Sequence, residues 1–142
     1  MILLDTPVAL RLLAGDPRLL SSKAYSYIED ASHRGALRLS SISLVELSVL
    51  QQRGKVRFDI PLSDVFYTLI NTPGLQIAPI DDAVALEAGG LDALSREGSF
   101  PGDENDRIIC ATTRALRATL VTDDPTILDF AESGGIRVIA LE

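Results

Sequence analysis

Four acidic residues of this chain keep company that an ordinary surface carboxylate does not. Asp5 closes the apolar run Met1-Ile2-Leu3-Leu4. Glu46 sits inside the apolar stretch Ile42 to Leu50. Asp106 opens the segment Arg107-Ile108-Ile109-Cys110-Ala111, and Asp124 follows Thr119-Leu120-Val121-Thr122. Carboxylates avoid apolar surroundings unless something compensates their charge. Four that converge would hold a hard divalent cation through oxygen ligands. The chemistry this suggests is metal-assisted attack on a phosphoryl group.

Each acid also has a plainer local reading. Asp5 could cap a helix that begins at Pro7. Glu46 stands three residues after Ser43, the spacing of a capping box. Its helical neighbours Ile42, Val49 and Leu50, however, would place it in an apolar stripe. Asp106 could cap a helix or pair with Arg107. One of Asp123 and Asp124 could simply cap the helix that Pro125 begins. Asp103 and Glu104 read as solvated loop residues from which a carboxylate could reach a cation from behind its direct ligands.

Other chemistries have less support. His33 is the only histidine and lies in a polar stretch, so a Ser-His-Asp arrangement has no base. Cys110 is the only cysteine, which excludes an intrachain disulfide and a cysteine zinc cluster. It reads as a core residue. Gly89-Gly90 and Gly134-Gly135 lack the spacing of a phosphate-binding loop. Tyr25, Tyr27, Phe66 and Tyr67 read as packing or dimer contacts, since no basic residues interleave them.

The elements that must position these residues alternate. Strands are expected at Ile2 to Leu4, Leu37 to Ser40, Leu75 to Ala78, Thr119 to Thr122 and Arg137 to Ala140. Helices are expected from Pro7, from Ser21 to Arg34, from a Ser43 cap to Gln52 and from Pro61 to Asn71. Three more run from Asp81 or Asp82 to about Arg96, from Asp106 to Leu116 and from Pro125 to Ala131. Such alternation implies a parallel sheet covered on both faces. Ligands of such sheets bind beyond the carboxyl ends of the strands. Asp5 and Asp124 both stand at expected strand ends and can share that rim.

Bulk properties agree. The 142 residues fit one domain, residues 1–142, and a hydrophobic content of 46% favours a packed globule. No apolar run approaches the roughly 20 residues of a membrane span. The short apolar start lacks a basic region ahead of it and does not read as a signal peptide. A cytoplasmic protein is the simplest expectation. Net charge is −7, but it is uneven: residues 1–57 carry eight Lys/Arg against five Asp/Glu, and residues 58–142 carry five against fifteen.

The motifs in order resemble the PIN-domain ribonucleases, and within them the VapC-like toxins of type II toxin–antitoxin systems. The carrying pieces are Leu3-Leu4-Asp5-Thr6, then Ser40 to Leu47 with Arg53-Gly54-Lys55. They continue with Asp103-Glu104-Asn105-Asp106-Arg107 through Thr112, then Leu120-Val121-Thr122-Asp123-Asp124. Order and spacing agree from residue 2 to about 140. The resemblance implies a three-layer α/β/α PIN-like fold with a central parallel sheet of four or five strands. It implies that Asp5, Glu46, Asp106 and Asp124 hold one or two Mg2+ or Mn2+ ions, supported by the Thr122 hydroxyl. Asp103 and Asp123 are candidates for an outer role. It further implies water attack on an RNA phosphodiester, a homodimer, and a cognate antitoxin whose tail covers the acidic groove. Pro7 and Glu104 depart from the family's pattern, since a polar residue and a proline are frequent there.

Three rivals are weaker. A nuclease for structured DNA needs arches that 142 residues scarcely accommodate. A catalytically inactive RNA- or protein-binding domain would have no need to keep four like charges together. A phosphatase using Asp5 as nucleophile would want a second Asp where Pro7 stands.

Overall fold

In the computed structural model, which describes residues 1–141, strands and helices alternate. The order is β1 (Ile2–Leu4), α1 (Thr6–Ala14), α2 (Pro17–Leu20), α3 (Lys23–His33), β2 (Leu37–Ser40), α4 (Ser41–Gln52), α5 (Leu62–Ile70) and β3 (Leu75–Ala78). Then follow α6 (Asp82–Gly90), a 3-10 turn (Leu91–Leu94), α7 (Glu104–Leu116), β4 (Thr119–Val121), α8 (Pro125–Ala131) and β5 (Arg137–Ile139). The five strands form one sheet in the order β3-β2-β1-β4-β5. Every pairing is parallel, with Leu3 opposite Arg38 on one side and Leu120 on the other.

Strand alternation divides the core into two layers. Ile2, Leu4, Leu37, Leu39 and Val121 face a cluster with Val8, Leu19, Ile28, Leu47 and Leu69 from α1 to α5. Leu3 and Leu120 face the other side, against Ile109, Leu91, Ile127 and Phe130. Burying each such leucine contributes roughly 1.5–3 kcal/mol. The three-layer α/β/α arrangement with a parallel sheet is therefore as expected, and it has five strands.

Three local expectations need correction, and one short helix is unexpected. The helix carrying Glu46 is capped by Ser40, whose hydroxyl accepts from the Ile42 amide; Ser43 lies inside it. The helix from Asp82 stops at Gly90 instead of reaching Arg96. Two successive glycines cost a helix about 1 kcal/mol each relative to alanine, and the Asp92 carboxylate then draws the chain round by accepting from the Phe100 amide at 2.8 Å. α7 is capped by Asp103, which puts Asp106 a turn inside the helix. The short α2, capped by Asp16 ahead of Pro17, has no counterpart among the expected helices.

The strand order reverses beside β1. From β1 the chain moves outward through β2 to β3, then returns to the other side of β1 as β4. A topological switch point lies between β1 and β4, and crevices for ligands open beyond the carboxyl ends of strands at such points.

Candidate metal centre

Asp5 follows β1 directly and caps α1. The residue is 4% exposed. One carboxylate oxygen accepts from the Thr6 amide at 2.9 Å, and the other accepts from the Thr122 hydroxyl at 2.6 Å. Thr122 follows β4 and is fully buried. Its hydroxyl oxygen also accepts from the Asp124 amide at 3.1 Å. One threonine therefore ties together the ends of the two strands that flank the switch point. Asp124 caps α8, with Oδ1 accepting from the Thr126 amide at 2.8 Å.

Glu46 projects from α4, which starts where β2 ends. The Thr6 hydroxyl donates to Glu46 Oε1 at 2.7 Å and lies 2.8 Å from the Ser43 hydroxyl. A threonine hydroxyl has one proton to give. Since Thr6 gives it to Glu46, Ser43 is the donor to Thr6. The chain Ser43 to Thr6 to Glu46 orients the glutamate, and the Thr6 amide orients Asp5 from the same residue.

Asp106 comes from the first turn of α7, whose start lies at the same rim because α7 runs against the strands. It shares a capping box with Asp103: the Asp106 amide donates to Asp103 Oδ1 at 2.8 Å, and the Asp103 amide donates weakly to Asp106 Oδ2 at 3.4 Å. Gly102 packs against it. A Cβ at Gly102 would stand 2.8 Å from Asp106 Cβ and 2.7 Å from the Phe100 ring. Arg107 does not pair with Asp106. It reaches Asp92 at 3.0 Å and the Ala88 carbonyl, and lies over the Phe100 ring.

Burial and mutual repulsion disfavour charge on these acids. Burial raises Asp5, opposed by the bonds from Thr122 and Thr6 and reinforced by the charges of Asp124 and Asp103. Burial raises Glu46, with the Thr6 bond opposing it and Asp5 and Asp103 adding to it; the Asn105 side chain favours its ionised form. Asp106 is pushed up to about 7 by burial first, then by Asp103, Asp124 and Asp5. Of the four acids, Asp5 feels Asp124, Asp106 feels both of them, and Glu46 feels Asp5. A cation bound nearby would relieve this repulsion.

The donor set is all oxygen, which suits Mg2+ or Mn2+. Among the described residues no three acidic, histidine or cysteine side chains lie close enough, as placed, to grip one ion together. Mg2+ is commonly held by one or two carboxylates with waters completing its shell. To share one ion, these acids would need waters between them and it.

The flanking candidates separate. Asp123 lies on the outer rim, 3.6 Å from Arg11, with its side chain 46% exposed. Asp103 is exposed and serves as the cap of α7. Glu104 leans along the helix to within 3.6 Å of Arg107. Cys110 is core, as expected, and burial pushes its thiol up. His33 is exposed. Ser43, Asn105 and Gly102 join the site without any sequence expectation that they would, and Thr6 does more than cap a helix. Only the Thr6 and Ser43 hydroxyls carry a sequence signal for this, by their positions beside Asp5 and one turn before Glu46.

The PIN domain family model matches residues 2–133. Ribonuclease VapC22 of Mycobacterium tuberculosis is 33% identical over 126 residues, covering 87% of this chain and 86% of that protein. The structure of VapBC2 from Rickettsia felis bound to a DNA fragment from its promoter aligns over 100% of both chains, with a TM-score of 0.73 and 22% identity. DNA-bound VapBC from Salmonella typhimurium aligns over 99% of this chain and 98% of that one, with a TM-score of 0.68 and 21% identity. The two structures show a shared fold.

Proposed function

Because the chain belongs to the PIN-domain family, we propose that it is a metal-dependent endoribonuclease, the toxin of a type II toxin–antitoxin module. The observation that supports this reading is that Asp5, Glu46, Asp106 and Asp124 are spread along the switch-point rim, with Asp106 pushed to about 7 by burial and by Asp103, Asp124 and Asp5. The name of the mycobacterial relative, a ribonuclease, supports RNA as substrate.

In this reading the four carboxylates hold Mg2+ or Mn2+, which when bound activates water and stabilises charge on the scissile phosphodiester. Thr122 keeps the Asp5 carboxylate turned toward the rim. Thr6, supported by Ser43, does the same for Glu46. Gly102 lets Asp106 sit tightly against the loop before α7. The protein's contribution is a fixed set of oxygen donors that need little reorganisation when the phosphate arrives.

Arg11 lies beside the rim next to Asp123, and with Lys23 and Arg53 of the basic N-terminal half it would meet the RNA backbone. The VapBC names of the structural neighbours support a small antitoxin partner. Its tail would cover the acidic groove, and a cleft lined by Leu10, Arg11, Leu13, Val56 and Phe58 opens nearby. Exposed Tyr27, Tyr67 and Ile70 on α3 and α5 support a homodimer. Among the described residues no helix is long and apolar enough to cross a membrane; a cytoplasmic location belongs to the RNA-toxin reading and not to that absence.

Cleavage of matched RNA and DNA strands in Mn2+ tests the substrate class. RNA cut and DNA intact is expected. The opposite preference would favour the DNA-nuclease reading, and neither strand cut nor RNA bound would leave a protein-binding domain.

A further inference from the structure

A second charged feature lies at the far end of the sheet from the acids. Residues 58–142 carry fifteen Asp/Glu and only five Lys/Arg. Three of those five, Arg114, Arg117 and Arg137, line one open cleft of about 550 Å3, with Glu87, Gly134 and Gly135. They come from the last turn of α7, its cap and the first residue of β5.

The cleft is held together by its own bonds. Arg114 Nε donates to Glu87 at 2.7 Å, and its Nη1 donates to the Gly135 carbonyl. Arg137 donates to the Arg117 carbonyl at 3.1 Å. Among the described residues neither Arg117 nor Arg137 has an acidic partner, and both are exposed. Three guanidinium groups therefore face one carboxylate.

Arg117 is also the only non-glycine residue among those described with a positive φ, 52°. It occupies the left-handed cap position that favours glycine. Cations are favoured at a helix C-terminus, which accounts for Arg114. It does not account for Arg137, which starts a strand in another element. No aromatic side chain lines the cleft, so it offers a surface for phosphates and none for stacking bases.

We propose that this cleft binds the phosphate backbone of the RNA strand that the acidic rim cleaves; the inference rests on the ribonuclease reading. Along α7, Asp106 and Arg117 are separated by about 16 Å at the helical rise. Straight across, that is about five stacked nucleotides, and the path over the surface is longer because residues 109–113 of α7 are buried. Substrates that engage both ends must exceed that length.

The test is binding of RNA well longer than that span, in EDTA and over a series of salt concentrations, by wild type, Arg117→Gly and Arg137→Gln. Glycine suits the backbone at 117, so Arg117→Gly should melt no lower than wild type. Each variant is expected to bind several-fold more weakly. The slope of log K against log salt should shrink by about 0.7 for each phosphate that is no longer neutralised. Affinity and slope equal to wild type in both variants, in a protein that cleaves RNA in Mn2+, would overturn this inference alone. A wild type that neither binds nor cleaves RNA would overturn the ribonuclease reading and this inference with it.

Discussion

The Thr122 hydroxyl donates a 2.6 Å hydrogen bond to the Asp5 carboxylate from 117 positions away, and both side chains are buried. Charge-assisted bonds of this length are strong and directional. The bond closes the seam between β1 and β4, and it fixes which way Asp5 faces. Thr122→Val keeps the shape and removes the donor. Groups that orient metal-binding side chains typically cost 10–100-fold when removed. We expect cleavage to fall by about that factor while the fold is retained. Full activity in Thr122→Val would show that Asp5 needs no such support.

Ser43→Ala removes the donor to Thr6 but leaves Thr6 able to reach Glu46. A loss of about 1 kcal/mol in stability is expected, with a smaller effect on rate than Thr122→Val. Urea unfolding beside initial cleavage rates separates the two. A larger rate defect than that of Thr122→Val would place Ser43 closer to the chemistry than its bonds suggest.

Gly102→Ala places a methyl group within 3 Å of Asp106 and the Phe100 ring. The ring can turn, but the Asp106 backbone is fixed in its capping box. Cleavage should fall roughly 10–100-fold with little change in overall secondary structure by circular dichroism. Normal activity would mean that the position of Asp106 tolerates a shift.

Much of this site is legible in the sequence, and the reason is topological. A strand end followed by an acid, as at Leu4-Asp5 and Thr122-Asp123-Asp124, names the rim without any knowledge of strand order. Thr6 and Ser43 each stand near an acid in the sequence, but that they bond to each other is not legible, because they meet across 37 positions. The spacing Ser43 to Glu46 suggests a cap, yet Ser40 takes that role because β2 runs directly into α4. Local spacing cannot rank two serines when the deciding fact is where a strand ends. The turn after Gly90 escapes for a similar reason, since Asp92 is drawn to the Phe100 amide by tertiary structure. The arginine cleft gathers residues from two elements, where the sequence shows only an acidic half.

Stability should depend on pH in the metal-free protein. Asp106 binds its proton more tightly folded than unfolded, with a folded value of about 7 against an ordinary 3.8. Asp5 and Glu46 shift in the same direction. Folded protein therefore holds more protons than unfolded protein between about pH 4 and 7, and stability falls as pH rises through that window. Divalent cations should offset the loss above pH 7 and raise the melting temperature by several degrees at saturating concentration. Asp106→Asn should melt higher than wild type without metal, by about 1 kcal/mol, and respond less to the cation. A wild-type melting curve unmoved by Mn2+ at pH 8 would count against a cation site at this rim.

The most direct measurement is cleavage of total bacterial RNA by the purified, antitoxin-free protein in Mg2+ or Mn2+, beside EDTA and Asp5→Asn controls. Discrete fragments that disappear in both controls are the predicted result, and their mapped ends would define the target. Folded wild-type protein that leaves the RNA intact in either metal, or fragments that persist in Asp5→Asn, would contradict a nuclease built on these four carboxylates.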